Sequence, residues 1–255
     1  MRILLTNDDG IHAPGILALK KRLETLGEVR VVAPERQRSA AGHGMTLHKP
    51  LRITPVKLAD GSDGFAISGT PTDCVILGLD VVCEGECDLV VSGINLGSNL
   101  GWDVTYSGTV AAAFEAAILN RPAIAISLAL DRREDGQVPD FQTAARFAGF
   151  IAQQLLNDPL PPHTFLNVNV PAIPEEEIAG AVITHQGRRE YRDRIVARND
   201  PAGRPYYWQY GNLHEGEPDP GSDVHAVLNR QISVTPIQLD LTAYSVMDKL
   251  REWKI

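Results

Sequence analysis

Residues 2–33, RILLTNDDGIHAPGILALKKRLETLGEVRVVA, decide the fold class. Arg2 to Leu5 reads as a short buried strand, and Asn7-Asp8-Asp9-Gly10 is a polar, turn-forming cluster directly after it. Pro14 opens a helix with Ile16, Leu17, Leu19, Leu23 and Leu26 on its apolar face and Gly27 as its stop. Val29 to Ala33 is a second, β-branched strand. A strand, loop, helix and strand in this order make neighbouring parallel strands with a right-handed crossover.

The alternation continues outward. Strands are expected at Phe65–Ser68, Asp88–Ser92, Pro122–Leu128, Phe165–Val170 and Ile232–Pro236. Helices are expected from Thr70-Pro71 to about Val82, then over Ser107–Asn120, Phe141–Leu156 and Tyr244–Trp253. Strands alternating with helices predict a doubly wound, mostly parallel α/β sheet. Gln186 to Gly221 has no helical period and is rich in Arg, Gly, Pro, Tyr and Trp. So long a stretch inside a compact domain reads as an extended β-hairpin arm. The chain is therefore read as one domain, 1–255, with an arm over 186–230 and a C-terminal segment over 231–255.

Composition narrows the function. The chain has 255 residues, 44% of them hydrophobic, enough to bury a sizeable core. Its formal net charge of −8 repels polyanions and argues against long nucleic acid as partner. It does not exclude a small phosphorylated substrate, because a metal ion or a helix end supplies positive charge locally. Cys74, Cys83 and Cys87 match no zinc spacing and read as reduced packing thiols. The N-terminus turns polar too early for a signal peptide, and no apolar run approaches membrane-spanning length. A cytoplasmic protein with no membrane partner is expected. The dinucleotide, NTP-binding, serine-hydrolase and zinc-protease motifs are all missing.

In open α/β sheets ligands bind beyond the carboxyl ends of the strands. Three polar loops follow predicted strands: Asn7 to Gly10, Glu35 to Gly44, and Gly93 to Gly108. They should converge on one edge. Asp8 and Asp9 are adjacent carboxylates, which repel unless a cation or shared proton intervenes. Oxygen ligands of this kind suit Mg²⁺, Mn²⁺ or Ca²⁺; the plain alternative is a loop cap beside a solvated acid. In the third loop the amides of Asn95 and Asn99 suit a metal or phosphate oxygens. Ser107-Gly108-Thr109 opens an apolar helix whose N-terminus offers a phosphate seat, or simply a Ser/Thr cap. His43 and His48 flank the second loop and stay outside the expected site.

With these loops in view, the sequence resembles the SurE family of metal-dependent 5'-nucleotidases. The likeness rests on Ile3 to Gly10, Ala33-Pro34 with Arg38-Ser39, Ser68 to Cys74, Val91 to Asn95 with Gly97, Asn99 and Gly101, and Tyr106 to Ala112. Tyr206-Tyr207-Trp208 and Ser233 to Pro236 extend it. The resemblance implies a Rossmann-like three-layer fold and one divalent metal per subunit, Mg²⁺ or Mn²⁺, on Asp8, Asp9, Ser39 and Asn95. It implies a phosphate site near Asn99, Ser107, Gly108 and Thr109. The implied activity is hydrolysis of nucleoside 5'-monophosphates, with further action on 3'-nucleotides, other phosphate esters and polyphosphate. It also implies a homodimer or homotetramer built through the arm and C-terminal segment. One departure is Ala40, where the family often has glycine after Ser39.

Asp8 and Asp9 are the expected catalytic acids, one taking a proton from attacking water or acting as nucleophile. A nucleotide-binding sensor without chemistry is the rival reading; it would need no paired acids. A metal-dependent deacetylase or amidohydrolase usually recruits histidine to the metal, and these loops supply no obvious set of histidines. Arg188, Arg189, Arg192, Arg194 and Arg198 with Tyr206, Tyr207, Trp208 and Tyr210 read as an oligomer interface, or as a grip on base and phosphate.

Overall fold

The computed structural model describes residues 1–130, 139–189, 191–192, 195–209, 212–213 and 218–253. Arg194 and Tyr210, and the side chain of Arg192, lie outside the described residues. The strands are β1 (Arg2–Thr6), β2 (Glu28–Pro34), β3 (Ile53–Lys57), β4 (Asp63–Ile67), β5 (Leu89–Leu96), β6 (Ala123–Ala129), β7 (Thr164–Pro171), β8 (Ala181–Ile183), β9 (Tyr191–Arg192), β10 (Ile195–Asn199), β11 (Pro205–Gln209), β12 (Asn212–Leu213) and β13 (Ile232–Gln238). The α-helices are α1 (Pro14–Leu23), α2 (Pro71–Leu77), α3 (Gly108–Ile118), α4 (Gln142–Asn157), α5 (Asp223–Leu228) and α6 (Tyr244–Arg251).

Among the described residues one nine-stranded sheet runs β3-β4-β2-β1-β5-β6-β7-β13-β8. It is parallel from β4 through β7, while β3 on β4 and β13 on β7 are antiparallel. The period of two in β1 explains why both faces are covered. Ile3 and Leu5 join the core under α1 and α4, with Leu19, Leu23, Ala148 and Ile151. Leu4 points the other way, into the core under α2 and α3, with Val75, Ala112, Ala116 and Phe165. The alanine run of α3 is buried almost all round, so small side chains let it approach the sheet closely. All three cysteines are free and buried, as packing thiols should be.

The topology marks the edge at which open α/β sheets bind ligands. From β1 the chain winds through β2 to β4 on one side; from β5 it winds through β6 to β7 on the other. The order reverses between β1 and β5, so the carboxyl ends of those strands flank the crevice of the sheet.

Sequence and structure differ at four places. β5 continues to Leu96 through a register shift between Ser92 and Asn95, so the first part of the expected loop Gly93–Gly108 is strand. Its Gly and Asn content suits the irregularity, since a bulge breaks the ladder without ending it. β3 is unforeseen because its apolar pattern is weak and it carries Pro55, which an edge strand tolerates. β8 is only three residues long. Within the stretch expected as an arm, β10 and β11 do form an antiparallel hairpin. Residues 223–228, however, form α5, which buries Asp223, Val224 and Ala226.

Helix α2 shows how local sequence anchors this edge. The Thr70 hydroxyl accepts from Asp73 N–H at 3.2 Å, and the Asp73 carboxylate accepts from Thr70 N–H at 2.8 Å, a reciprocal cap. Asp73 also accepts from Thr46 N–H and hydroxyl, at 2.9 and 2.7 Å. Burial pushes the Asp73 carboxyl up, but these bonds outweigh it and hold it below its ordinary value. Its stabilisation is therefore complete above the ordinary carboxylate range and is lost as pH falls through the lowered folded value. Asp73→Ala is expected to cost about 2–4 kcal/mol at pH 7, read by urea unfolding, with a smaller gap in acid. An unchanged midpoint at pH 7 would contradict this role.

Candidate active site

Asn7 closes the turn after β1. Its side chain accepts from Gly10 N–H at 3.1 Å and donates to Gly10 carbonyl at 3.0 Å. That turn drives Asp8 inward and leaves Asp9 half-buried. Asp8 is 4% exposed, and its Oδ1 accepts from the Thr109 hydroxyl at 2.5 Å. Burial pushes its carboxyl up to about 6; Thr109 pulls it down, and the neighbouring Asp9 charge adds to the rise. Asp8 therefore lies against the first turn of α3. A Cβ on Gly108 would stand 2.7 Å from the Asp8 Cβ, so only glycine admits this approach.

Asp9 is oriented from two loops. Its Oδ2 accepts from Leu96 N–H at 3.1 Å, and its Oδ1 accepts from Gln37 Nε2 at 3.2 Å. The same Gln37 amide donates to the Ser39 hydroxyl at 2.9 Å, which ties Ser39 to Asp9. Arg38 N–H donates to the Asp8 carbonyl at 2.7 Å, docking the loop after β2 onto the loop after β1. Ala40 follows Ser39 at φ +56°, a left-handed conformation that costs a non-glycine residue roughly 1 kcal/mol. Asn95 stands at the end of β5, with its Nδ2 donating to Gly97 carbonyl at 2.8 Å. Its Oδ1 is thus the amide atom suited to a cation.

Ser107 caps α3, its hydroxyl accepting from Val110 N–H at 3.1 Å. Among the described residues no acceptor takes the Gly108 N–H, which leaves one donor at the positive end of the helix dipole. Asn99 is held to the sheet by four hydrogen bonds. Its Nδ2 donates to the Ser127 hydroxyl at 2.7 Å, its N–H donates to Asn169 Oδ1 at 2.8 Å, and its carbonyl accepts from Asn167 and Asn169. One of the two N–H donors of its amide is thereby engaged inside the protein. Asn99 works here as the anchor of its loop.

The structure thus gathers Asp8, Asp9 and Ser39 through the Gln37 amide and the docking of the two loops, sets Asn95 at the adjoining strand end, and places Gly108 and Thr109 against Asp8. Sequence reasoning missed Gln37, the Leu96 N–H and the Ser127–Asn167–Asn169 ladder. Gln37 lay inside a flagged loop; the ladder gave only polar residues at alternate positions of otherwise apolar strands. His43, left outside the site, bonds Glu115 at 2.7 Å and packs on Phe114.

The donor set is one of hard oxygens. Among the described residues no cluster of three or more His, Cys, Asp or Glu side chains is placed to hold a metal. A cation here would take two carboxylates, completed by neutral oxygens and water, which fits Mg²⁺ or Mn²⁺ better than the nitrogen and sulfur sets of zinc.

The family model described as Survival protein SurE matches residues 3–193. The chain belongs to the SurE family. A protein of Geobacter sulfurreducens named 5'-nucleotidase SurE is 51% identical over 255 residues, all of this chain and 94% of its own length. One of Pelobacter propionicus with the same name is 50% identical over 99% of each chain. The crystal structure of the SurE protein from Aquifex aeolicus superposes with a TM-score of 0.85 at 43% identity, covering 98% of both chains. Among the described residues no helix is long and apolar enough to cross a membrane.

Proposed function

We propose that this SurE chain is a divalent-metal-dependent 5'-nucleotidase, hydrolysing nucleoside monophosphates to nucleoside and phosphate. One observation carries the reading: the adjacent carboxylates Asp8 and Asp9 sit at the switch point of the sheet, backed by the N-terminus of α3. The names of the Geobacter and Pelobacter relatives support it.

Asp8, Asp9, Ser39 and Asn95 would hold the cation. When bound, it supplies positive charge against the phosphoryl oxygens and makes nearby water more acidic. The chain does the rest. Gln37 and Leu96 N–H orient Asp9, while Thr109 orients Asp8. One of these carboxylates takes the proton of the attacking water. Gly108 N–H, with the Ser107 and Thr109 side chains, receives the remaining phosphoryl oxygens on a loop that Asn99 anchors. A sensor without chemistry would have no use for two acids forced together.

The arm supports a homodimer or homotetramer. β11 exposes Tyr206, Tyr207 and Trp208, and an isolated two-stranded hairpin is at best marginally stable in water. Three reduced cysteines fit a cytoplasmic setting.

The test is phosphate release from a panel of 5'- and 3'-nucleoside monophosphates and polyphosphate, with Mn²⁺, with Mg²⁺ and with a chelator. Release is expected only with metal and best from the 5'-monophosphates. Intact nucleotide on a folded, metal-loaded protein would instead establish the sensor.

A further inference from the structure

Asp223, at the start of α5, is far from Asp8 in sequence and lies outside the motifs quoted above, yet it is fully buried. Its Oδ2 accepts from Gly101 N–H at 2.8 Å, and its Oδ1 accepts from Gly187 N–H at 2.9 Å and Val224 N–H at 2.8 Å. A buried carboxylate is tolerable only when such donors replace its lost water. Two of the three belong to other segments. Gly101 lies in the loop that carries Asn99 and runs into Ser107; Gly187 is the root of the arm.

Further contacts join the same two segments. Gln186 Nε2 donates to the Gly101 carbonyl at 2.9 Å. Arg189 Nη1 donates to the Ser98 hydroxyl at 2.6 Å and to Asp103 Oδ2 at 3.1 Å. The backbones touch closely: a Cβ on Gly101 would stand 3.0 Å from the Gly187 carbonyl oxygen. From below, Ser127 and Asn169 hold Asn99 to β6 and β7. The segment 98–103 is therefore clasped between the sheet and the arm root, while Gly97, whose carbonyl holds Asn95, is fixed separately by its own N–H to the Leu128 carbonyl at 3.0 Å. None of the bonds of the clasp involves Asp8, Ser39 or Asn95.

We propose that Asp223 is a positioning residue for the substrate side of the site: it clasps the segment 98–103 to the arm root, so that nucleotide binding depends on this clasp while metal binding does not. The inference rests on the nucleotidase reading for the identity of the bound group. It also gives the arm a route to the site, since whatever moves residues 186–189 moves Gly101.

The experiment compares wild type with Asp223→Asn and Gln186→Ala in full-length protein. It reads kcat and KM for a nucleoside 5'-monophosphate at saturating Mn²⁺, Mn²⁺ affinity by calorimetry, and melting temperature. Asp223→Asn turns an acceptor into a donor facing N–H groups and is expected to raise KM roughly tenfold or more, with Mn²⁺ affinity within about twofold. Gln186→Ala removes one bond from an exposed side chain, so it should melt like wild type while raising KM about threefold. It decides the matter if Asp223→Asn does not fold. An unchanged KM in Gln186→Ala, or KM and Mn²⁺ affinity shifting together, would overturn the proposal. Failure of the nucleotidase reading looks different: wild type itself would release no phosphate, and the same comparison would be made on nucleotide binding.

Discussion

Asp8→Asn is expected to abolish metal-dependent phosphate release, by on the order of 10³-fold or more, while making the metal-free protein more stable at neutral pH. Both effects have one cause. Burial holds the Asp8 carboxyl at about 6 in the folded chain, above the ordinary 3.8. The folded state therefore binds this proton more tightly than the unfolded state does. Stability is highest below about pH 4 for this group and declines as pH rises through 6, by roughly 3 kcal/mol in total. Asparagine cannot ionise, so the variant escapes the decline, and it keeps an oxygen for the Thr109 hydroxyl. A cation does the opposite: it binds the ionised carboxylate, so its affinity falls as pH drops below 6. The check is melting temperature against pH in chelator, then in Mn²⁺, for both proteins. Parallel curves from pH 4 to 7 in chelator, or residual metal-dependent turnover near wild type, would remove Asp8 from this role.

Gly108→Ala should lower kcat by about 100-fold with a loss of roughly 1–3 kcal/mol in stability. Alanine is the better helix former, so propensity alone would predict a gain. The added Cβ would meet the Asp8 Cβ at 2.7 Å, its Oδ2 at 3.0 Å and the Pro71 Cγ at 3.1 Å. None of these yields easily. Asp8 is held by Thr109 on one side and through its carbonyl by Arg38 N–H on the other. Pro71 is the rigid first residue of α2. Relief requires α3 or the Asp8 loop to shift, and an offset near 1 Å at a reacting group is costly. Steady-state kinetics and a melting curve test this; an alanine variant with wild-type kcat and Mn²⁺ affinity would show the contact is slack.

The loops around Asp8 and Asp9 were legible because their chemistry is local. Two adjacent acids after a strand, a Ser-Gly-Thr before an apolar helix and a Gly/Asn run after another strand each announce themselves within a few residues. The supports of those residues were not. Gln37 is one polar residue among several in its loop. Asn99 reads as a ligand from its type and neighbours, and only the fold shows that Ser127 and Asn169 also anchor it. Asp223 reaches Gly101 across 122 positions of sequence, and nothing in the six residues of α5 suggests that partner.

By itself, the sequence determined the alternation of strand and helix, the parallel centre of the sheet, and the paired acids at the end of the first strand. It could do so because a strand covered on both faces must be apolar throughout, and a helix packed on it must repeat its apolar residues every three to four positions. Only the tertiary structure decided which polar residues meet at the sheet edge and which hold the loops. That choice is made by hydrogen bonds between segments far apart in the chain, and a buried amide or carboxylate takes whichever partner the packing brings within about 3 Å.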